Sequence, residues 1–252
     1  MPIRRQFAVR AIAAADVRAG RVEPLYIKVL HRILAAHALA EKLTAQGYQR
    51  VLASIDDPAI RPIVEKNFAE KNRHAALIYG LLAELGVSEI AAERMMITTR
   101  RAPSFEAPRY FAERAEGEID LVMGMLSLDM TGLIMIGVNY QESSYAPHSR
   151  AAEVILDEEA NHDLFAADVL GEAVERFGPE AVSASIREWL PKAVNFFGPP
   201  GTGFSYDCLR FGLKSKDNEE LAELYLMMLE KRLAKVGLEM PALTSGYPHT
   251  LA

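Results

Sequence analysis

The chain has 252 residues, enough to bury a large apolar core. With 50% of its residues apolar and 25% charged it has the balance of an ordinary globular protein, and its net charge of −6 excludes a general nucleic-acid binder, whose footprint is basic. One cysteine, Cys208, excludes an internal disulfide and suits a reducing cytosol.

Arg4, Arg5 and Arg10 interrupt the N-terminus, which therefore lacks the long apolar core of a signal peptide. Up to about Arg21 the chain reads as a loose arm or a short helix. A first long helix is expected from Glu23-Pro24, with proline in a tolerated first-turn position, to Gly47 as its stop. Its apolar stripe is Ile27, Leu30, Leu34, His37, Glu41, Ala45 and Tyr48. Asp56-Asp57-Pro58 signals the start of a second helix that ends near Gly86. On its stripe Glu70 and His74 lie four apart, between Asn67 and Leu77.

A connector marked by Arg100-Arg101, Pro103 and Pro108 leads to a third helix from about Arg109 to Gln141. Its inward line runs Glu118, Val122, Met125, Leu126, Asp129, Leu133, Ile136, Tyr140. The segment Leu121 to Val138 has one charge, Asp129, and approaches the length of a membrane span. Gly124, Ser127, Thr131 and Gly132 dilute it, so it is read as the buried centre of a bundle rather than a span. Met123, Met125, Met130 and Met135 read as packing first and a subunit interface second.

Pro147 opens the fourth helix, which ends near Gly178 and carries the stripe Ile155, Glu159, His162, Ala166, Val169, Ala173, Phe177. After Pro179 comes an amphipathic helix with Trp189, Phe196 and Phe197, then a loop over Gly198 to Gly203. That loop lacks the Lys-Ser/Thr of a phosphate-binding loop. Asp217-Asn218-Glu219-Glu220 resembles a capping box at the start of a last helix, roughly Asn218 to Val236. Arg100, Arg101, Lys214 and Lys216 are taken as charged surface. No alternating strand pattern is visible. The expectation is an all-α chain forming a single domain over 1–252: an arm at 1–21, a four-helix bundle core at 22–178, C-terminal helices at 179–240 and a tail at 241–252.

The four long helices thus place Glu41, then Glu70 with His74, then Asp129, then Glu159 with His162 on their apolar faces. A lone charge on such a face is costly unless it is paired or binds a metal. One buried histidine is ordinarily a satisfied core residue, but four ionisable stations in this order match the ligand arrangement of a ferritin-like di-metal bundle. Glu158 is close in angle to Glu159, and the i, i+3 spacing to His162 selects Glu159. Carboxylate and imidazole ligands suit two ions of iron, or manganese. The pair Glu70–His74, one turn apart, can chelate. Lys71 lies near His74 in angle, so its ammonium offers a second, metal-free way to neutralise the same carboxylates.

Asp157 to His162, Trp189-Leu190-Pro191-Lys192-Ala193, Phe197-Gly198-Pro199 and Asn218-Glu219-Glu220-Leu221, with Ser144-Tyr145-Ala146-Pro147 before the fourth helix, carry a resemblance to a known family. Over about residues 23 to 242 the chain resembles the phenylacetic acid catabolic protein family, nearest the catalytic, A-type subunit of phenylacetyl-CoA epoxidase. The resemblance implies a ferritin-like, cytoplasmic oxygenase subunit with a non-haem di-iron centre. Such a subunit takes electrons from a reductase component and epoxidises or hydroxylates an aryl-CoA thioester with O2. It works beside a related non-catalytic subunit, or pairs with itself. Glu41, His74, Glu159 and His162 match the family's ligand positions. The second-helix glutamate is expected at position 71, which is lysine here, and the third-helix acid is displaced by about one residue from Asp129. The alternative is a metal-silent paralogue serving as a structural partner subunit. A third option is a di-metal protein acting on a fatty acyl group or a modified RNA base, the last disfavoured by the acidic balance.

Overall fold

The computed structural model describes residues 3–242, and the side chains of all of these except residues 160–168. The tail expected from 241 therefore falls almost wholly outside the described residues, as does the side chain of His162. The helices are α1 (Ala14–Arg18), α2 (Pro24–Leu52), α3 (Arg61–Glu84), α4 (Glu89–Met95), α5 (Glu106–Arg114), α6 (Gly117–Tyr140), α7 (Ala146–Phe177), α8 (Pro179–Phe196), α9 (Gly203–Phe211) and α10 (Asn218–Lys235). Among the described residues there is no strand, only an isolated bridge between Ile12 and Tyr145. Helices α2, α3, α6 and α7 form a ferritin-like four-helix bundle: α2 packs along α3, α7 along α6, and α2–α6 and α3–α7 contacts close it. Helices α8 to α10 are the C-terminal appendage, and one buried apolar cluster runs through both, from Ile12 to Leu238.

Three local expectations are corrected. Gly47 does not stop its helix, which continues to Leu52. A Cβ there would meet the Phe111 ring 2.0 Å away, and one on Gly124 would meet the other side of the ring at 2.6 Å. The two glycines let α5 wedge Phe111 between α2 and α6, a close approach only a missing side chain permits. The helix expected from Arg109 to Gln141 is two helices, because Ala115 is extended and Gly117 takes a positive φ of 72°. The arm is fastened rather than loose: backbone amides of Arg10 and Ile12 donate to the carbonyls of Ser143 and Ser144, and that of Ala146 donates to Ile12.

Helix α6 is long and apolar enough to cross a membrane, with mean hydropathy 1.9, but 78% of its apolar window is buried against the other helices. That is the setting of a core helix. It is α-helical at its start and centre and widens into π turns at Met125–Asp129 and Met135–Tyr140. π turns shift the side-chain register by about one position and recur at functional sites. The first ends on Asp129, which faces the centre described next, and the second on Tyr140, whose ring lies against those of His37 and His148.

Candidate functional site

At the middle of the bundle the ammonium of Lys71 sits among three carboxylates from three other helices. Its Nζ lies 2.5 Å from Glu159 Oε1 on α7, 3.3 Å from Asp129 Oδ1 on α6 and 3.5 Å from Glu41 Oε2 on α2. Lys71 and Asp129 are 2% exposed, and Glu159 and Glu41 are buried with them. The 3.6-residue period explains the convergence, since each residue lies on the inward stripe of its own helix.

The charges hold one another in place. Burial works against the Lys71 ammonium, but Glu159, Glu41 and Asp129 outweigh it and hold its pKa well above the usual lysine value. Burial likewise opposes the charge on Glu41. The Lys71 ammonium and hydrogen bonds from His37 and His74 overcome this and keep its carboxyl well below the usual range. Tyr48, buried on α2, donates its hydroxyl to Asp129 Oδ2. Burial and the Asp129 charge push that phenol well above its ordinary pKa, so it stays a donor.

His74 is the second cation. Its Nε2 lies 2.9 Å from Glu158 Oε2, and its Nδ1 lies 3.3 Å from Glu159 Oε1 and 3.6 Å from Glu41 Oε2. Burial opposes its protonation, but hydrogen bonds to Glu159 and Glu41 raise its pKa to about 10, so at neutral pH it is an imidazolium. Three central carboxylates therefore face two positive charges without any ion. The expected chelate of Glu70 with His74 is not what the geometry assembles, because both imidazole nitrogens face other acids. Glu70 is buried but pairs with Lys66 at 3.7 Å and Arg73 at 3.6 Å. Glu158, which spacing set aside in favour of Glu159, instead joins His74 to Arg73.

One more pair escaped the sequence. His37 on α2 lies 3.5 Å from Glu41 Oε1 and shares a 3.1 Å contact, ring nitrogen to ring nitrogen, with the fully buried His148 at the start of α7. Burial and the neighbouring His37 hold His148 well below the ordinary histidine pKa, so it is neutral. The signal was available: the stripe Ile155–Glu159–His162 continued back two turns reaches position 148.

Among the described residues, Glu41, His74 and Glu159 offer ligand atoms that could hold a metal ion, all within 4.8 Å of one another. Their spacing suits one ion bonded at roughly 2.0–2.2 Å. The same oxygens, Glu159 Oε1 and Glu41 Oε2, are those that Lys71 contacts, and His74 must lose a proton to become a ligand. Lys71 also stands where a di-metal centre of the expected pattern needs a carboxylate. Among the described residues Glu41, His74 and Glu159 can hold one metal ion, and the Lys71 ammonium lies against the oxygens that ion would use. The expected ligand His162 lies among the side chains outside the described residues.

Beside this cluster a cavity of about 560 Å³ runs between α2, α6 and the 198–205 segment. Glu41, His37 and Tyr140 form part of its wall, and so do Lys214 and Asn218.

A model of the phenylacetic acid catabolic protein family matches residues 70–247. Among solved structures, a Synechococcus protein with aldehyde deformylating oxidase activity is similar in fold. It has a TM-score of 0.65 at 19% identity, with 86% of this chain and 93% of the other covered. No curated protein matches the sequence.

Proposed function

Because the chain belongs to the phenylacetic acid catabolic protein family, we propose that it is a metal-free partner subunit of a cytoplasmic oxygenase acting on aryl-CoA thioesters. Its bundle keeps the shape of a metal-binding relative without the ions. A related catalytic subunit brings the metal, and a reductase component feeds electrons to that subunit. The observation that carries this reading is Lys71 Nζ within 3.5 Å of Glu159, Asp129 and Glu41. Three carboxylates in a dry core need positive charge. In a metal-binding bundle the ions supply it; here a covalently attached ammonium and the His74 imidazolium do. Removing either partner of such an arrangement is strongly destabilising, so the cluster is kept as a unit even where it does no chemistry.

A second reading keeps catalysis in this chain, and the grouping of Glu41, His74 and Glu159 within 4.8 Å favours it. If Lys71 moved away, these residues would hold an ion, and the metal would supply the electron chemistry that activates dioxygen. The two readings part on metal content. Protein purified from iron- and manganese-supplemented cells should carry fewer than about 0.1 ions per chain by mass spectrometry on the first reading, and at least about one on the second. The same count on Lys71→Glu, which restores the expected carboxylate, should rise several-fold above wild type if the lysine is what excludes the ions.

A further inference from the structure

Lys214 is a second buried lysine, 5% exposed, just beyond α9. The helix ends on Gly212 in the left-handed conformation, and the turn folds the chain back so that Lys214 points into the protein. Its Nζ donates to Asn218 Oδ1. Asn218 is itself fixed, its Nδ2 donating to the Pro199 carbonyl at 2.9 Å, so its oxygen is held toward the lysine. Among the described residues no carboxylate lies within 4.0 Å of Lys214 Nζ, the reach of an ion pair. A neutral amide oxygen is a poor substitute for an anion around a buried ammonium.

Lys214 and Asn218 line the cavity of about 560 Å³ already described, a size typical of small-molecule sites. Its other walls include Ile33, Gly132, Met135, Ile136 and Phe197, which offer apolar surface and no charge. Arg32, also in the lining, holds its guanidinium 4.4 Å from the centre of the Phe204 ring and adds positive potential. The acid in the wall, Glu41, is engaged by Lys71 and His74. An apolar chamber with a fixed cation that has no ion pair, Asp217 acting on it only from beyond 4.0 Å, calls for a ligand with the opposite pattern. We propose that the cavity binds small amphipathic carboxylates, aromatic or medium-chain acids, with Lys214 as the partner of the carboxylate and the apolar walls around the body. Burial holds the Lys214 pKa below the ordinary lysine value, in keeping with a cation that lacks its anion. The proposal does not depend on whether metal binds at Lys71.

The test is calorimetric titration of the full chain with octanoate and 3-phenylpropanoate, with the matching alcohols, and with the CoA thioesters of the same acids. The acids should bind at least about tenfold more tightly than the alcohols or the thioesters, the gain expected of a charge-assisted contact. Lys214→Met should lose that advantage while binding the alcohols as wild type does, and Lys214→Arg should retain part of it. Ile136→Trp, which fills the chamber and leaves the lysine in place, should abolish binding of every probe; this variant serves if Lys214→Met fails to fold by circular dichroism. Equal affinity for acids, alcohols and thioesters would overturn the proposal. So would undiminished acid binding by Lys214→Met or Ile136→Trp, or the absence of binding by any acid.

Discussion

Lys71 and Lys214 are buried to nearly the same depth, 2% and 5% exposed, yet their ammonium groups respond in opposite directions. At the bundle centre burial is outweighed by Glu159, Glu41 and Asp129, and the lysine holds its proton more tightly than in water. Beside the cavity burial prevails over the weaker pull of Cys208 and Asp217, and the proton is held less tightly. Depth is the same, so the neighbouring carboxylates decide. The comparison separates a charge cluster that is complete in itself from one that lacks an anion. The first has no need of a metal, whereas the second is built to receive a ligand.

The largest expected effect is on the central lysine. Lys71→Met strands three buried carboxylates and should cost about 3–5 kcal/mol in a denaturant titration at neutral pH. Lys214→Met removes an ammonium that no acid pairs with within 4.0 Å and should fall within about 1 kcal/mol of wild type or stabilise. Similar losses in both variants would erase the contrast between the two sites.

A second effect follows pH. His74 is raised from 6.5 to about 10, so the stability its charge contributes is complete below 6.5 and is lost as pH climbs through about 10. Glu41 is lowered, so its contribution is complete above 4.5 and is lost as pH falls below that value toward its depressed pKa. His148, held neutral by burial, withdraws stability as pH falls below 6.5. Wild-type stability should therefore peak near 6.5, and His74→Gln should lie below it near neutrality with a shallower alkaline decline. An unchanged alkaline limb in His74→Gln would remove the imidazolium from the cluster.

A smaller loss than that of Lys71→Met is expected at Tyr48. Tyr48→Phe deletes the hydroxyl donated to Asp129 and should cost roughly 1–3 kcal/mol, the penalty for depriving a buried acceptor of its donor. A cost below about 0.5 kcal/mol would mean that the remaining partners of Asp129 suffice.

The helix period alone brought Glu41, His74, Asp129 and Glu159 to the inward faces of four helices, and the Asp217–Glu220 capping box located the last helix. Periodicity could not choose between Glu70 and Lys71. Both are buried, and only the packing of α3 against its neighbours turns the lysine to the centre and leaves the glutamate beside Lys66 and Arg73. Gly47 looked like a stop because the reason for it, the Phe111 ring, lies 64 residues away in sequence. Lys214 read as surface because Leu213-Lys214-Ser215-Lys216 has the composition of a polar turn. Its burial follows from the fold-back at Gly212 and from Asn218, which the distant Pro199 carbonyl fixes in place, and the composition of the turn does not reveal that geometry.

The central claim meets its most direct test in anomalous diffraction at the iron and manganese edges from crystals grown with both metals. The account predicts no anomalous peak inside the triangle of Glu41, Asp129 and Glu159, with side-chain density for Lys71 continuous to an ammonium between them. A peak there, with Lys71 swung out of the centre, would contradict it.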